Sequence, residues 1–247
     1  MEKQVHPNIS VDCVIFGFDF KKLNVILVRR ELTDPISGEK LINDFTLAGN
    51  HVYVDEQIDA AVRRVLFDLT GFHDIFLEQF YTTGDPDRLS KPMDQLWLKS
   101  INKNPSERVV SVCYYSLINS TEIAIVKKDH VVMWVPVNEV KNLELAFDHA
   151  KILENALQAL RNKLKHEPIS FELLPEKFTL SQMQRLYEVV FNTEYDKRNF
   201  RKKVNKMKYI IMLEEKQVGV SHKPATYYSF DRNIYEECKS EILNFSI

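Results

Sequence analysis

The chain has 247 residues and a formal net charge of −2. That length suits one large domain or two modest ones, and the charge excludes global basicity, so any nucleic-acid surface must be local. Three separated cysteines without a CxxC pair predict reduced thiols in a cytoplasmic protein, the start MEKQVHPN has no signal-peptide pattern, and no apolar run approaches the ~20 residues of a membrane helix.

Val11 to Phe20 and Leu23 to Arg30 are rich in Val, Ile and Phe and read as strands, with Lys21-Lys22 at the turn. Glu31 to Asn43, with Pro35 and Gly38, reads as a polar loop, and Phe45 to Leu47 as a short strand. From Gly49 to Phe72 a loop leads into a helix. Ile58, Ala61, Val62, Val65, Leu66 and Leu69 form one apolar stripe at helical spacing. Asp55 and Glu56 suit the positive end of its dipole, and Gly71 suits a left-handed C-terminal cap.

Ile75 to Thr83 is a further strand, and Gly84 to Arg88 is turn chemistry. Leu89 to Glu107 holds Pro92, Pro105 and Trp97 and reads as a long loop or lid with one helical turn. Arg108 to Ile118 and Val131 to Val137 are strands, and Asn138 to Leu143 is a short helix or turn. Asp148 is the expected N-cap of a helix running to Lys165, with a stripe of Ile152, Leu153, Ala156, Leu157, Leu160 and Leu164. Strands with intervening helices predict an α/β sandwich. The division falls near Pro168, giving modules 1–168 and 169–247.

Beyond that point Thr179 to Gln182 has a capping-box pattern opening a helix. Asn192-Thr193-Glu194 is a turn, and a second helix starts near Asp196. Seven of the thirteen residues from Asp196 to Lys208 are Lys or Arg. Phe200, Val204, Met207 and Ile211 make its expected buried stripe, which turns Lys197, Arg198, Arg201, Lys202, Asn205 and Lys206 outward. A solvated basic face is the plain alternative. Helix, short turn and basic helix make a helix-turn-helix, and Ile210 to Leu213 and Thr226 to Phe230 make a hairpin wing. Its basic tip carries Lys216, His222 and Lys223. Such a helix reads base edges while Lys and Arg grip phosphates of double-stranded operator DNA.

Two stretches carry a family resemblance. Gly49 to Phe72 resembles a Nudix box, Gly-x5-Glu-x7-Arg-Glu-aliphatic-x-Glu-Glu-x-Gly-aliphatic. Anchored on Gly71, it places Asn50 at the first Gly, Glu56 at the Glu and Arg64 at the Arg. Val65 and Leu69 replace two of the acids, and Asp68 remains. Positions 65, 68 and 69 share one helix face, where the box gathers carboxylates for magnesium. The runs FDHAKILENALQALRNKL, FELLPEKFTLSQMQRLYEVV and DKRNFRKKV, with LEQFYTTGDPDR and RVVSVCYYSL, resemble the Nudix-related transcriptional regulators of the NrtR family. This chain departs from them by extra residues between Arg88 and Arg108.

The resemblance implies a Nudix-like α/β/α sandwich followed by a winged helix-turn-helix, acting as a homodimer on palindromic operators. It implies a ligand-responsive regulator rather than an enzyme, without metal or cofactor. Loss of box acids points to a neutral sugar effector, with Asp44, Thr46, His51, Glu78 and Tyr114 as candidate sugar contacts, and the resemblance then implies the family's sugar-catabolism branch, repressing pentose (L-arabinose) utilisation genes. The alternatives are an ADP-ribose sensor in NAD metabolism and an active Nudix diphosphate hydrolase.

Overall fold

The computed structural model describes residues 4–71, 73, 75–119, 131–219 and 223–244. His222 and Phe72, named above at the wing tip and box end, lie outside them.

The first strand, β1 (Val5–Phe18), is central. Its side chains alternate between two cores, as strand geometry requires. Val11, Cys13 and Ile15 join the cluster around the box helix, whereas Val14, Phe16 and Phe18 join the other. A strand covered on both faces reads as a continuous apolar run. One long edge of β1 pairs in parallel with β6 (Val110–Asn119). Its other edge forks: Phe16 to Phe18 pair with β2 (Leu23–Thr33), and Ser10 to Cys13 with β4 (Ala48–Tyr53). Among the described residues the sheet has seven strands, completed by β3 (Lys40–Thr46) and β7 (Val132–Pro136) on β2 and β5 (Phe76–Thr83) on β6.

The box helix α1 (Ile58–Thr70) covers one face. Ala61, Val62, Val65, Leu66 and Leu69 are all buried there. Gly71 ends it in the left-handed region, φ 75°, with its N–H on the Phe67 carbonyl at 2.8 Å. The opposite face is covered by α3 (His149–His166), through Ile152, Leu153, Ala156, Leu160 and Leu164. Helix, sheet and helix make the expected α/β/α sandwich.

Four local expectations are corrected. The stretch expected as a loop from Gly49 begins as strand, because Gly49, Asn50 and His51 pair with Asp12, Val11 and Ser10 of β1. Glu31 to Asn43 is largely strand: β2 runs on to Thr33 and pairs with β3, because its polar residues sit on an edge hairpin. Leu89 to Glu107 is not a loop with one turn but holds a nine-residue helix, α2 (Pro92–Ser100), with Pro92 at its start. Asp148 occupies the N-cap position of α3 but makes no cap hydrogen bond, since its carboxylate is engaged elsewhere.

After a short 3₁₀ turn, Ile169–Leu173, the chain forms β8 (Phe178–Thr179), α4 (Leu180–Phe191) and α5 (Lys197–Val204). Then come β9 (Ile210–Lys216), β10 (Thr226–Phe230) and α6 (Arg232–Asn244). The Thr179–Gln182 capping box is formed in both directions. Strand β10 lies between β8 and β9, so helix-turn-helix and wing form a winged helix. Its core is continuous with that of the sandwich. Leu173, Phe178, Met183, Leu186, Val190, Phe200 and Val204 belong to the same cluster as Ile152 and Leu160 of α3. Among the described residues, no helix is long and apolar enough to cross a membrane.

Candidate effector cavity and nucleic-acid interface

Burying one charge in a strand demands a partner. Asp12 is the charge in the apolar run of β1, and the cavity is built around it. Its Oδ2 accepts from Ser111 Oγ at 2.6 Å and from Arg88 Nη2 at 3.1 Å. Arg88 also reaches Asp148 at 2.8 Å, and Asp148 accepts from the Thr83 hydroxyl. On the other side His149 Nε2 lies 3.5 Å from Asp12 Oδ1. The ring's Nδ1 accepts the Leu47 backbone N–H at 3.0 Å, so the proton sits on Nε2, facing Asp12. Burial alone would raise the Asp12 pKa. His149, Arg88 and Ser111 outweigh it and hold the carboxyl well below the usual range. Gly49 is required here: a Cβ at that position would run into Asp12 Oδ1 and lie 3.0 Å from the Val11 carbonyl.

A second charged cluster closes the cavity. Arg30 grips Asp44 with Nε and Nη2 at 2.7 and 2.6 Å, and Asp94 of α2 with Nη2 at 2.7 Å. Asp94 also accepts the Phe147 N–H, which ties α2 to the segment leading into α3. Burial would lower the Arg30 pKa, but the two carboxylates raise it, so the guanidinium stays charged. The cavity between these clusters has a volume of about 380 Å³. It is lined by Asp12, Arg29, Arg30, Thr46, Gly49, Asn50, His51, Val65, Asp68, Leu69, Arg88, Trp97, Leu98, Lys103, Phe147 and His149, among others.

The candidate sugar contacts divide. Thr46 and His51 line the cavity. Asp44 is behind it, spent on Arg30. Glu78 points away and pairs with Lys163 of α3 at 2.9 Å. Tyr114 lies under α1, where its hydroxyl donates to Asp59 at 2.6 Å. Asp12, Arg30, Arg88, Trp97, Lys103, Phe147 and His149 were not foreseen. One signal was available: a charged residue inside an apolar strand.

The box loop keeps its frame. Arg64 holds Glu56 through two hydrogen bonds of 2.8 Å and stacks on Tyr53 at 4.1 Å. Nudix proteins use box carboxylates for magnesium, and this donor set does not suit that ion. Glu56 is engaged by Arg64, Asp68 is exposed, and Val65 and Leu69 beside it are hydrocarbon, 4% and 8% exposed. Among the described residues no group of three His, Cys, Asp or Glu side chains is arranged to hold a metal.

In the winged helix, α5 is capped by Asp196, whose carboxylate accepts the Asn199 N–H at 2.8 Å. Phe200 and Val204 are buried, and Lys197, Arg198, Arg201 and Lys202 are exposed on the other side. The helix is shorter than expected. Asn205 is its C-cap, Lys206 lies in the turn beyond, Met207 is half-buried and Ile211 belongs to β9. Those residues leave the helix because the chain must turn back to enter the wing. Lys216 closes β9, and exposed Lys223 stands before β10.

A sandwich built on a Nudix-type loop and helix, joined to a winged helix with a basic exposed helix, defines a two-module class. Residues 6–156 match the NUDIX domain, and residues 170–230 match the NrtR DNA-binding winged helix domain. The chain belongs to the NrtR family, in which those two domains are joined. Among its relatives is the ADPR responsive transcriptional repressor NtrR of Acinetobacter baylyi, 26% identical and matched over 93% of this chain and 84% of the relative. The crystal structure of Shewanella oneidensis NrtR complexed with a 27mer DNA is also similar. It is 26% identical, with a TM-score of 0.69 and coverage of 90% of this chain and 93% of that one. A MutT/nudix family protein from Enterococcus faecalis shares the fold. It is 22% identical, with a TM-score of 0.65 over 92% of this chain and 88% of that one.

Proposed function

We propose that this protein is a transcriptional repressor that binds operator DNA through α5 and the wing and responds to ADP-ribose. The observation that carries the reading is the joining of a winged helix to a Nudix-type cavity whose box has Val65 and Leu69 at two carboxylate positions. The Acinetobacter relative, described as ADPR responsive, supplies the effector.

The pentose reading gives way on two grounds. It rested on a doubly charged ligand having lost its counter-ion. The cavity, however, carries Arg29 and Lys103 from outside the box. Arg29 donates Nε to Asn43 and lies 3.9 Å from Glu31, which leaves Lys103 and the remaining Arg29 N–H groups to balance a diphosphate without metal. The volume of about 380 Å³ also lies in the range of sites for ligands larger than one sugar ring. A hydrolase reading is opposed by Val65 and Leu69 at carboxylate positions. The two modules divide near Pro168, and the protein acts as a homodimer whose two-fold symmetry matches a palindromic operator. Effector binding shifts the population between two spacings of the winged helices, through its different affinity for each.

Calorimetry with ADP-ribose, L-arabinose and D-xylose, each with EDTA and with magnesium, tests the effector. Heat with ADP-ribose in EDTA and none with the pentoses is expected. Heat with a pentose alone returns the protein to sugar sensing. Release of phosphoester products at the ~1 per second or more of ordinary enzymes overturns the repressor-only reading.

A further inference from the structure

Arg30 is among the largest side chains sealed from solvent in the described part of the molecule, at 1% exposure. Its Nε and Nη2 are saturated by Asp44 and Asp94. Its central carbon lies over two rings, 5.4 Å from the Trp97 centroid and 4.9 Å from that of Phe147. Its Nη1 is buried and has no hydrogen-bond partner. A buried donor left unpaired costs about 1–3 kcal/mol, and more when charged. The same residue borders the cavity.

We propose that Arg30 Nη1 is a ligand contact, donating to an uncharged acceptor of the effector: a hydroxyl, a carbonyl or a ring nitrogen. This deepens the ADP-ribose reading and rests on it. The acceptor approaches edge-on, because the Nη1 N–H bonds lie in the guanidinium plane, and it reaches the sealed nitrogen only when Trp97 or Phe147 draws aside. It is uncharged because one guanidinium already faces two carboxylates at 2.6–2.7 Å, which leaves a local excess of one negative charge. A phosphate placed there would meet that excess in a low-dielectric site. The diphosphate belongs instead with Arg29 and Lys103, and the ligand lies in one direction in the cavity.

The test uses the full-length protein and calorimetry with ADP-ribose, AMP and ribose 5-phosphate. Arg30→Lys keeps a positive charge for Asp44 and Asp94 and removes Nη1. The expected result is a loss of about ten-fold or more for ADP-ribose and for only one of the two fragments, with the other within about two-fold. A merely structural role weakens both fragments alike, and that result, or no change, overturns the proposal. If the variant fails to fold, a crystal of the wild-type protein with ADP-ribose decides. An uncharged acceptor within ~3.2 Å of Nη1 supports the proposal, and a phosphate oxygen or no ligand atom there overturns it. If the wild type binds L-arabinose and not ADP-ribose, the effector reading fails separately. The sugar crystal then tests Nη1 by whether a hydroxyl reaches it.

Discussion

Asp12, Arg88 and the adjacent pair Asp148 and His149 come from three separate places in the chain and form one buried network. Such a network does not by itself make a fold more stable than hydrocarbon would, but removing one member leaves a charge unpaired. Arg88→Ala strips the cation from both Asp12 and Asp148. A loss of about 3–5 kcal/mol is expected by urea denaturation, whereas a loss under ~1 kcal/mol would show the carboxylates to be solvated. His51 sets a pH dependence. Its Nδ1 faces the His6 carbonyl at 3.1 Å, and burial, with the charge of Lys103, holds its pKa below the ordinary 6.5. The native state therefore binds fewer protons than the unfolded chain. Its contribution is complete above pH ~6.5 and is lost as pH falls through the lower native pKa. Melting temperatures of wild type and His51→Gln measured between pH 8 and 5 should show a steeper acid-side fall in the wild type. Parallel curves would remove His51 from the account.

At the scale of elements, α5 presents arginine and lysine on one side and Phe200 with Val204 on the other. This division follows from ~100° of turn per residue. Arg198→Ala or Arg201→Ala is expected to weaken operator binding by ~1–3 kcal/mol if the arginine grips a base edge. Affinity should fall steeply with salt through counterion release. Mobility shifts across a salt series measure both, and an unaffected double variant would place the interface elsewhere. Helix α2 is one element that the sequence hid. Its moment is weak because what it buries is Asp94 and Leu98 rather than a full apolar stripe. An ion pair to Arg30, 64 positions away, takes the place of that stripe.

Across the whole molecule, α3 links cavity and winged helix. Its first residue, His149, lines the cavity, and further along Arg161 donates to the Val190 carbonyl at the end of α4 at 2.7 Å. Arg185 of α4 reaches back to the Lys21 carbonyl at 3.0 Å, in the turn joining β1 and β2. A ligand that moves His149 or β2 therefore acts on α4 through packed elements rather than through a flexible linker. Coupling energies between sites are typically ~1–3 kcal/mol. Arg185→Ala should leave effector affinity for the free protein within about two-fold while shrinking the effector's effect on DNA affinity, read by paired calorimetry and mobility shift. An undiminished effect would show that coupling bypasses this contact.

The order of the strands along the chain, the box helix with its Gly71 stop, the capped α4 and the basic α5 were legible in the sequence. Each is written in local periodicity and end signals, which act over a few residues. Strand β4, all but the end of β3, helix α2 and the two-residue β8 were not, because edge pairing and distant ion pairs hold them rather than an apolar stripe. The site was legible only in part. Thr46 and His51 line the cavity, but Glu78 and Tyr114 face other partners, since strand neighbours point to opposite faces. Which charges meet was decided by tertiary structure alone. Asp12 and Arg88 are 76 positions apart, and only the assembled sheet and the turn before α2 bring them to 3.1 Å. The sequence by itself determined the two modules and their order, because hydrophobic pattern acts locally. The cavity's charges, its volume and its link to the winged helix arise where burial leaves each charge to find its counterpart across the fold.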